Sequence, residues 1–317
     1  MRYLRKLTLI VSVMALLSAI SYQLSAGATA QGGAITIEPF YQEIVIPDKA
    51  KNSYFIKLTN NTNKQQNFRL KTADFGSLDE TGGVAFIGIT KPDVNYKYGL
   101  TTWLSLDQQF VVLRPGETQQ IEFAITKIDS LTAGGHYGAI LVTPDTGEKQ
   151  TDNSTVEVSP VVSSLILLKK VGGEIYNLGL KSSISDDSLF SLPSRVTLRF
   201  ANDGNVHIVP RGTVTVTDSR GAIISEGLIN ADSGYILPES IRQFQTSLKN
   251  VKNAWLPGYY NLNIKYRYDG NDSFTTKTIR LFYVGQASRA LVLVIVTAGL
   301  ILLVIKRKKL IKSIRKN

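Results

Sequence analysis

Apolar and polar positions alternate with a period of two along most of the chain between residues 31 and 288, and helical periodicity is nearly absent there. The clearest run covers residues 260–268, where every even position is apolar or aromatic and every odd position is polar. This alternation is typical of a strand with one buried face and one solvated face. Asn, Gly, Pro and Asp separate the strand-like runs, so the pattern predicts an all-β protein built from antiparallel sandwiches.

Three sequence landmarks occur twice in the same order. Each copy has a strand ending in an Asn-rich turn, then a turn with Leu, Pro and Glu, then a Gly and a Tyr that open a strand. The landmarks lie at residues 58–63, 113–117 and 131–137, and again at residues 200–205, 237–239 and 256–260. A tyrosine in this position resembles the tyrosine corner, whose hydroxyl ties a loop back to its strand. The sequence therefore predicts two tandem immunoglobulin-like antiparallel β-sandwiches.

We place the domain boundary at Gly172 and Gly173, so the first sandwich covers residues 31–171 and the second covers residues 172–285. The apolar run at residues 161–171 then closes the first domain, and the polar residues 146–153 form a hairpin loop inside it. The alternative boundary lies at that polar loop. Because two glycines are a short connection, we expect restricted motion between the domains.

Both ends of the chain have the composition of membrane-targeting segments. Residues 1–30 have basic residues, then an apolar stretch, then small residues that fit a cleavage site, which predicts a secretory signal peptide. An uncleaved N-terminal anchor is the alternative. Residues 286–305 predict one transmembrane helix, and residues 306–317 predict a basic tail.

The basic tail determines the predicted topology and membrane contacts. Lys306, Arg307, Lys308 and Lys309 are predicted to contact acidic lipid and to place the tail in the cytoplasm. The predicted localisation is therefore the cell membrane, crossed once, with an extracellular N-terminal ectodomain.

Charge and composition exclude several classes of function. The net charge is +11, but the excess of basic residues lies at the two ends, so the region between them has no basic patch for nucleic acid. The chain has no Cys and two His, which excludes disulfides and Cys-ligated metals. Motifs of nucleophilic hydrolases and phosphate loops are missing from the sequence. We therefore predict a non-enzymatic protein with no cofactor, no metal and no catalytic residues.

A candidate binding surface is predicted in the aromatic segment that ends at residue 103 and at the Gly-rich strand start that follows. Aromatic rings flanked by hydrogen-bonding side chains can stack on sugars or anchor a protein partner. Alternatively, Trp103 belongs to the core and His136 is a partly buried strand residue. The candidate ligand or partner residues are Tyr96, Lys97, Tyr98, Trp103, His136 and Tyr137.

Residues 60–62, 113–117 and 134–138, followed by a second β domain, one span and a lysine-rich tail, resemble the WxL-interacting protein family of bacterial surface proteins. The resemblance implies two immunoglobulin-like domains and a C-terminal anchor. It also implies that the first domain associates with peptidoglycan and that the second contacts a protein partner. The family provides no catalytic residues to assign.

Two functions follow from this interpretation. The first is a membrane-anchored cell-surface scaffold that contacts cell-wall glycan or a secreted surface protein through its sandwiches. The alternative is a chaperone-like assembly factor for secreted or pilus-type subunits, acting by β-strand addition. A long alternating strand, such as the one at residues 260–268, would suit the alternative if it lay at a sheet edge.

Overall fold

The computed structural model describes residues 33–46, 53–87, 96–145, 161–285, 288, 291–292 and 294–299. The predicted signal peptide, the polar loop at residues 146–153 and the basic tail at residues 306–317 lie outside the described residues. The described chain is dominated by antiparallel strands, with short 3-10 turns at Thr101–Trp103 and Ile128–Ser130. The predicted all-β class is therefore confirmed.

Ten strands form the first sandwich. Its smaller sheet has the order β1-β3-β8-β6, and its larger sheet has the order β2-β10-β9-β4-β5, with β7 also paired to β4. Every pairing is antiparallel except that of β2 with β10. The strands are β1 Ile35–Glu38, β2 Tyr41–Ile46, β3 Ser53–Asn60, β4 Gln66–Ser77, β5 Val84–Ile87, β6 Leu104–Leu106, β7 Phe110–Leu113, β8 Thr118–Ile125, β9 Gly134–Pro144 and β10 Val162–Lys170.

Eight strands form the second sandwich, with sheets of order β11-β12-β15 and β16-β14-β13-β17-β18. Strand β17, which contains the alternating run at residues 260–268, pairs with β13 on one side and β18 on the other. The strand suggested as a possible edge is therefore internal, because β18 returns through a tight turn and pairs along it. The strands are β11 Leu178–Ser185, β12 Arg195–Asn202, β13 Arg211–Thr217, β14 Ile223–Ile229, β15 Ser240–Ser247, β16 Lys249–Asn250, β17 Gly258–Tyr268 and β18 Asn271–Tyr283.

A fully buried asparagine organises the same turn in each sandwich. The Asn60 amide donates to the carbonyls of Lys64 and Leu113, at 2.8 and 3.0 Å. The Asn202 amide donates to those of Val206 and Ile236, at 2.7 and 2.9 Å. In each domain the asparagine therefore joins the first predicted landmark to the second. The internal repeat is a structural repeat, and a side-chain hydrogen-bond network maintains it.

The predicted tyrosine corner occurs in the second sandwich only. The Tyr260 hydroxyl donates to the Leu256 carbonyl at 2.9 Å and ties the preceding loop to β17. In the first sandwich, the Tyr137 hydroxyl instead lies 3.3 Å from Nδ1 of His207, in the other domain. At the equivalent position of the first sandwich, Tyr137 therefore contacts the other domain.

The predicted single-pass membrane localisation is contradicted. Of the predicted transmembrane segment at residues 286–305, helical residues are described at 288, 291–292 and 294–299, and the rest of the segment lies outside the described residues. Within the described part of the chain, no helix combines the length and apolarity of a membrane span.

We predict that Asn202→Ala destabilises the second sandwich by about 3 kcal/mol, because it leaves buried carbonyls without a donor. Asn250→Ala is the matched control, since Asn250 is exposed on β16. Urea unfolding of the full chain measures both. Equal stability of the two variants would show that the buried amide network contributes little.

Candidate functional site

The larger sheet of the first sandwich is apolar on both faces. Along β9, every residue from Gly134 to Val142 is buried. The inner face belongs to the domain core, whereas the outer face carries Tyr137, Ala139, Leu141 and Leu167, all buried. An antiparallel sheet at a protein surface normally has one polar face that contacts water. Because this outer face is apolar, another part of the protein must shield it from water.

The second domain covers part of that outer face. Leu237 and Tyr235, on the loop between β14 and β15, pack into one cluster with the aromatic and aliphatic side chains of β4, β9 and β10. Tyr98, on the segment before β6, packs into the same cluster and its hydroxyl donates to Glu239 at 2.9 Å. The two sandwiches therefore share a third apolar core.

Polar contacts of Glu43 with His207 and Tyr235, here called the latch, join the two domains beside the apolar cluster. Nε2 of the buried His207 lies 3.2 Å from Oε1 of Glu43, and the Tyr235 hydroxyl donates to Oε2 of Glu43 at 3.3 Å. The hydrogen bond with His207 lowers the pKa of Glu43, burial opposes this effect, and the electrostatic interactions with His207 and Lys169 lower it further. No group of three or more His, Asp or Glu in the described ranges is arranged to hold a metal ion.

The turn between β4 and β5 makes a second polar contact with the other domain. Nε of Arg199 donates to Oε2 of Glu80 at 2.6 Å, and a further guanidinium nitrogen contacts Oε1. The backbone amide of Gln243 donates to the backbone carbonyl of Glu80 at 2.7 Å. The turn therefore occupies part of the outer edge of β15. Exposed ion pairs contribute little individually, but this contact also satisfies backbone groups at a sheet edge.

Most of the predicted site residues lie inside the molecule or at the domain interface. Tyr137 is fully buried, Tyr98 is buried, and Tyr96 is partly buried beside it. Lys97 is exposed, and its Nζ donates to Oε1 of Glu239 at 2.5 Å. These residues thus lie together at the edge of the domain interface.

The two remaining predicted residues lie at the end of the first core. Trp103 packs against that core, and its indole donates to Oγ of Ser130 at 3.0 Å. His136 is buried, with Nδ1 3.2 Å from the Gly99 carbonyl and Nε2 3.0 Å from the Thr132 carbonyl. Whether any of the predicted residues binds a ligand stays a prediction.

The predicted partners, cell-wall glycan and membrane lipid, are wrong. Stacking on sugar needs an exposed ring face, and the rings of Tyr98, His136 and Tyr137 are buried. The proposed lipid contacts, Lys306 to Lys309, lie outside the described residues. No described helix is a membrane span.

At the start of β10, the side that faces β2 has no pairing strand among the described residues. Strand β2 pairs with β10 only from Leu165 to Lys170, whereas β9 pairs with it from Val162 onward. The Leu165 amide donates to the Phe40 carbonyl at 2.8 Å, on the β2 side. Since amide directions alternate along a strand, the Ser163 amide points to that same side. No described strand pairs with Ser163 there.

Large apolar side chains are exposed beside this edge. The chain passes from one sheet to the other between β1 and β2, and there Phe40 is 66% exposed and Tyr41 is 40% exposed. Phe55 lines the same surface depression as these two side chains. Val161, directly before β10, is 52% exposed. Contiguous exposed apolar side chains are typical of an interaction site.

Two other edges in the described chain, those of β18 and β11, have features that oppose strand addition. Strand β18 carries Lys277 and Arg280, and its exposed Phe274 lies under the ammonium group of Lys265, 4.6 Å from the ring centroid. Strand β11 contains a register irregularity between Leu180 and Ser182. Charged side chains and bulges are the usual means of preventing strand addition at an edge. The part of β10 that β2 does not pair, Val162 to Ser164, has neither.

The β10 edge is not predicted from the sequence. The run at residues 161–171 is predicted only as a strand that closes the domain, and Phe40 and Tyr41 are not among the predicted site residues. One usable signal is that Phe40 and Tyr41 directly follow Pro39, between two strand-like runs. A proline there ends one strand and starts another.

No family model and no curated protein matches the sequence, so the resemblance to WxL-interacting proteins stays a prediction. Among solved structures, the chain is similar to the class 5 fimbriae chaperone CfaA, at 15% identity over 77% of this chain and 98% of that chain, with a TM-score of 0.40. It is similar to the E. coli chaperone DraB, at 10% identity over 77% and 98%, with a TM-score of 0.36.

A third similarity is to the CsuC–CsuE chaperone–tip adhesion subunit complex of Acinetobacter baumannii. The identity is 9% over 79% of this chain and 99% of that chain, with a TM-score of 0.35.

We predict that the interdomain contact weakens on acidification. The folded-state pKa of Glu43 is lowered, so its contribution is present above the pKa of the unfolded chain and is lost as the pH falls through the lowered value. Glu43→Gln should therefore flatten the dependence of the melting temperature on pH below about pH 5. Glu226→Gln, on the exposed side of β14, is the control. If the melting temperature of Glu43→Gln depended on pH as that of the wild type does, the latch would not contribute to stability.

Proposed function

We propose that this protein is a chaperone-like assembly factor that binds an extended segment of a secreted subunit by β-strand addition. The observation that carries the proposal is the start of β10, Val162 to Ser164, which no described strand pairs on the β2 side and which lies beside exposed apolar side chains. This is the alternative function predicted from the sequence. The strand that offers the edge is β10, whereas the sequence suggested β17.

The geometry of the edge supports an added strand. On the β2 side, no described strand pairs with the amide and carbonyl of Ser163. A polypeptide that paired with them would lie in line with β2, which pairs with β10 from Leu165 onward. Main-chain hydrogen bonds of this kind give affinity that does not depend on the partner's sequence. The added strand would therefore extend the larger sheet of the first sandwich.

The apolar patch supports selection of the partner. Side chains of an added strand alternate between the two sides of the sheet, so every second one would face Phe40 and Tyr41. Burying two exposed aromatic side chains of this size is worth about 2–4 kcal/mol in total. A subunit segment with apolar residues at alternate positions fits this surface.

The chain contains no cysteine, which permits a direct test. A single cysteine at Val161→Cys, labelled with a benzophenone maleimide, should crosslink one exported polypeptide in intact cells, identified by mass spectrometry. Thr276→Cys, on the protected edge strand β18, is the matched control and should give no adduct.

A proline substitution distinguishes strand addition from side-chain contact. We predict that Ser163→Pro, in the Val161→Cys background, reduces crosslinking at least tenfold, because it removes the free amide without breaking a bond to β9. Thr276→Pro should leave crosslinking unchanged. Adducts that persist in Ser163→Pro, or that form at Thr276→Cys instead, would contradict the proposal.

A further inference from the structure

Strand β15 lies at an edge of the second sandwich, where the described chain pairs it with β12 alone. The register with β12 is continuous from Ser240 to Ser247. The backbone amide of Gln243 points away from β12, because it donates to the Glu80 carbonyl. Since amide directions alternate along a strand, the amide and carbonyl of Gln245 point to that same side. No described residue forms a backbone hydrogen bond with Gln245 there.

The stretch of β15 without a partner is short and has defined ends. At one end, the turn between β4 and β5 pairs with Gln243 through the Glu80 carbonyl. At the other end, β14 approaches β15 so closely that a Cβ atom on Gly227 would clash with the carbonyl oxygen of Ser247. The four residue steps from Gln243 to Ser247 cover about 13 Å, which leaves room for about three residues of an added strand.

This stretch lacks the features that oppose strand addition. Between Gln243 and Ser247 the sequence contains no charged residue and no proline. The pairing with β12 contains no bulge along the same residues. Charges, prolines and bulges are the usual means by which a sheet edge is protected from a further strand. The edge of β15 at Gln245 is therefore accessible to a strand.

A surface depression of about 760 Å³ lies beside this edge. Gln245 and Ser247 line it from β15, and Leu228 lines it from β14. Leu228 is 65% exposed, so an apolar side chain of an added strand would remove apolar surface from water there. Two acidic and two basic side chains also line the depression, which favours a partner segment without net charge. They are Glu226, Asp232, Arg242 and Lys249.

The contact between the domains shows that this edge accepts a peptide group. The Glu80 carbonyl lies 2.7 Å from the Gln243 amide nitrogen, and the ion pair of Glu80 with Arg199 holds the turn in place. A segment that paired with Gln245 would continue this row of backbone hydrogen bonds outward from the interdomain interface. Main-chain hydrogen bonds of this kind require an extended polypeptide.

From this geometry we infer that the edge of β15 is a second strand-addition site, which binds a short, extended and uncharged polypeptide segment with an apolar side chain. The backbone of the segment pairs with the amide and carbonyl of Gln245, and its apolar side chain covers Leu228. The segment ends against the turn that carries Glu80. The inference goes beyond the proposed function, because it gives the second domain a binding site separate from β10.

A capped tripeptide tests this site directly. We expect acetyl-Thr-Val-Thr-amide to bind the full chain and to shift the backbone amide resonances of Gln243 and Gln245, measured by NMR on a chain with isotope-labelled glutamine. The same peptide methylated on its three residue nitrogens cannot donate those backbone hydrogen bonds, and it should bind about tenfold more weakly.

Three variants locate the bound peptide. Gln245→Pro removes the amide that points away from β12 and should weaken binding about tenfold. Gln245→Thr changes the same side chain but keeps that amide, so it is the matched control and should bind as the wild type does. Ser163→Pro alters the edge of β10 and should leave binding of the tripeptide unchanged.

Equal binding of the two peptides would overturn the inference, and so would wild-type affinity in Gln245→Pro with a wild-type melting temperature. If Gln245→Pro does not fold, the comparison of the two peptides on the wild-type chain still tests the site. Loss of binding in Ser163→Pro would place the tripeptide at β10, which overturns the inference and supports the proposed function. Binding that depends on Gln245 while Val161→Cys gives no adduct would support the β15 site and contradict the proposed function.

Discussion

The apolar outer face of the larger sheet in the first sandwich determines how the rest of the molecule is arranged. Tyr137, Leu141 and Leu167 point away from the domain core, and without a cover they would leave an apolar patch in water. The second domain, with Leu237 and Tyr235, buries one part of that face. The two sandwiches are therefore held together by a shared core, and the short connection between them is secondary.

The polar contacts of the interface follow from this apolar arrangement. The latch of Glu43 with His207, and the contact of Glu80 with Arg199, lie around the shared core and set the orientation of one domain on the other. The cover ends near Phe40 and Val161, where apolar side chains and an unpaired backbone remain exposed together. The binding site that we propose at this place follows from this incomplete coverage.

Period-two alternation and the repeated landmarks were sufficient to predict two sandwiches, because both reflect local structure. The alternation reflects a strand with one buried face, and the landmarks reflect a turn with a buried side-chain amide. Neither pattern could predict the edge at the start of β10. Strand β17 has the clearest alternation in the chain and is internal, whereas the edge at Ser163 depends on where β2 stops pairing.

The same limit explains the predicted site residues. Tyr98, His136 and Tyr137 were selected as candidate ligand or partner residues, but a second domain and neighbouring loops bury them. Sequence periodicity describes which face of a strand is apolar, and it does not say whether a domain core or another domain covers that face. Amide hydrogen exchange of the chain with its crosslinked partner, compared with the free chain, tests the central claim most directly. We expect slowed amide exchange at Ser163 and unchanged exchange at Thr276. Slowed exchange confined to β18, or unchanged exchange at Ser163, would contradict strand addition at β10.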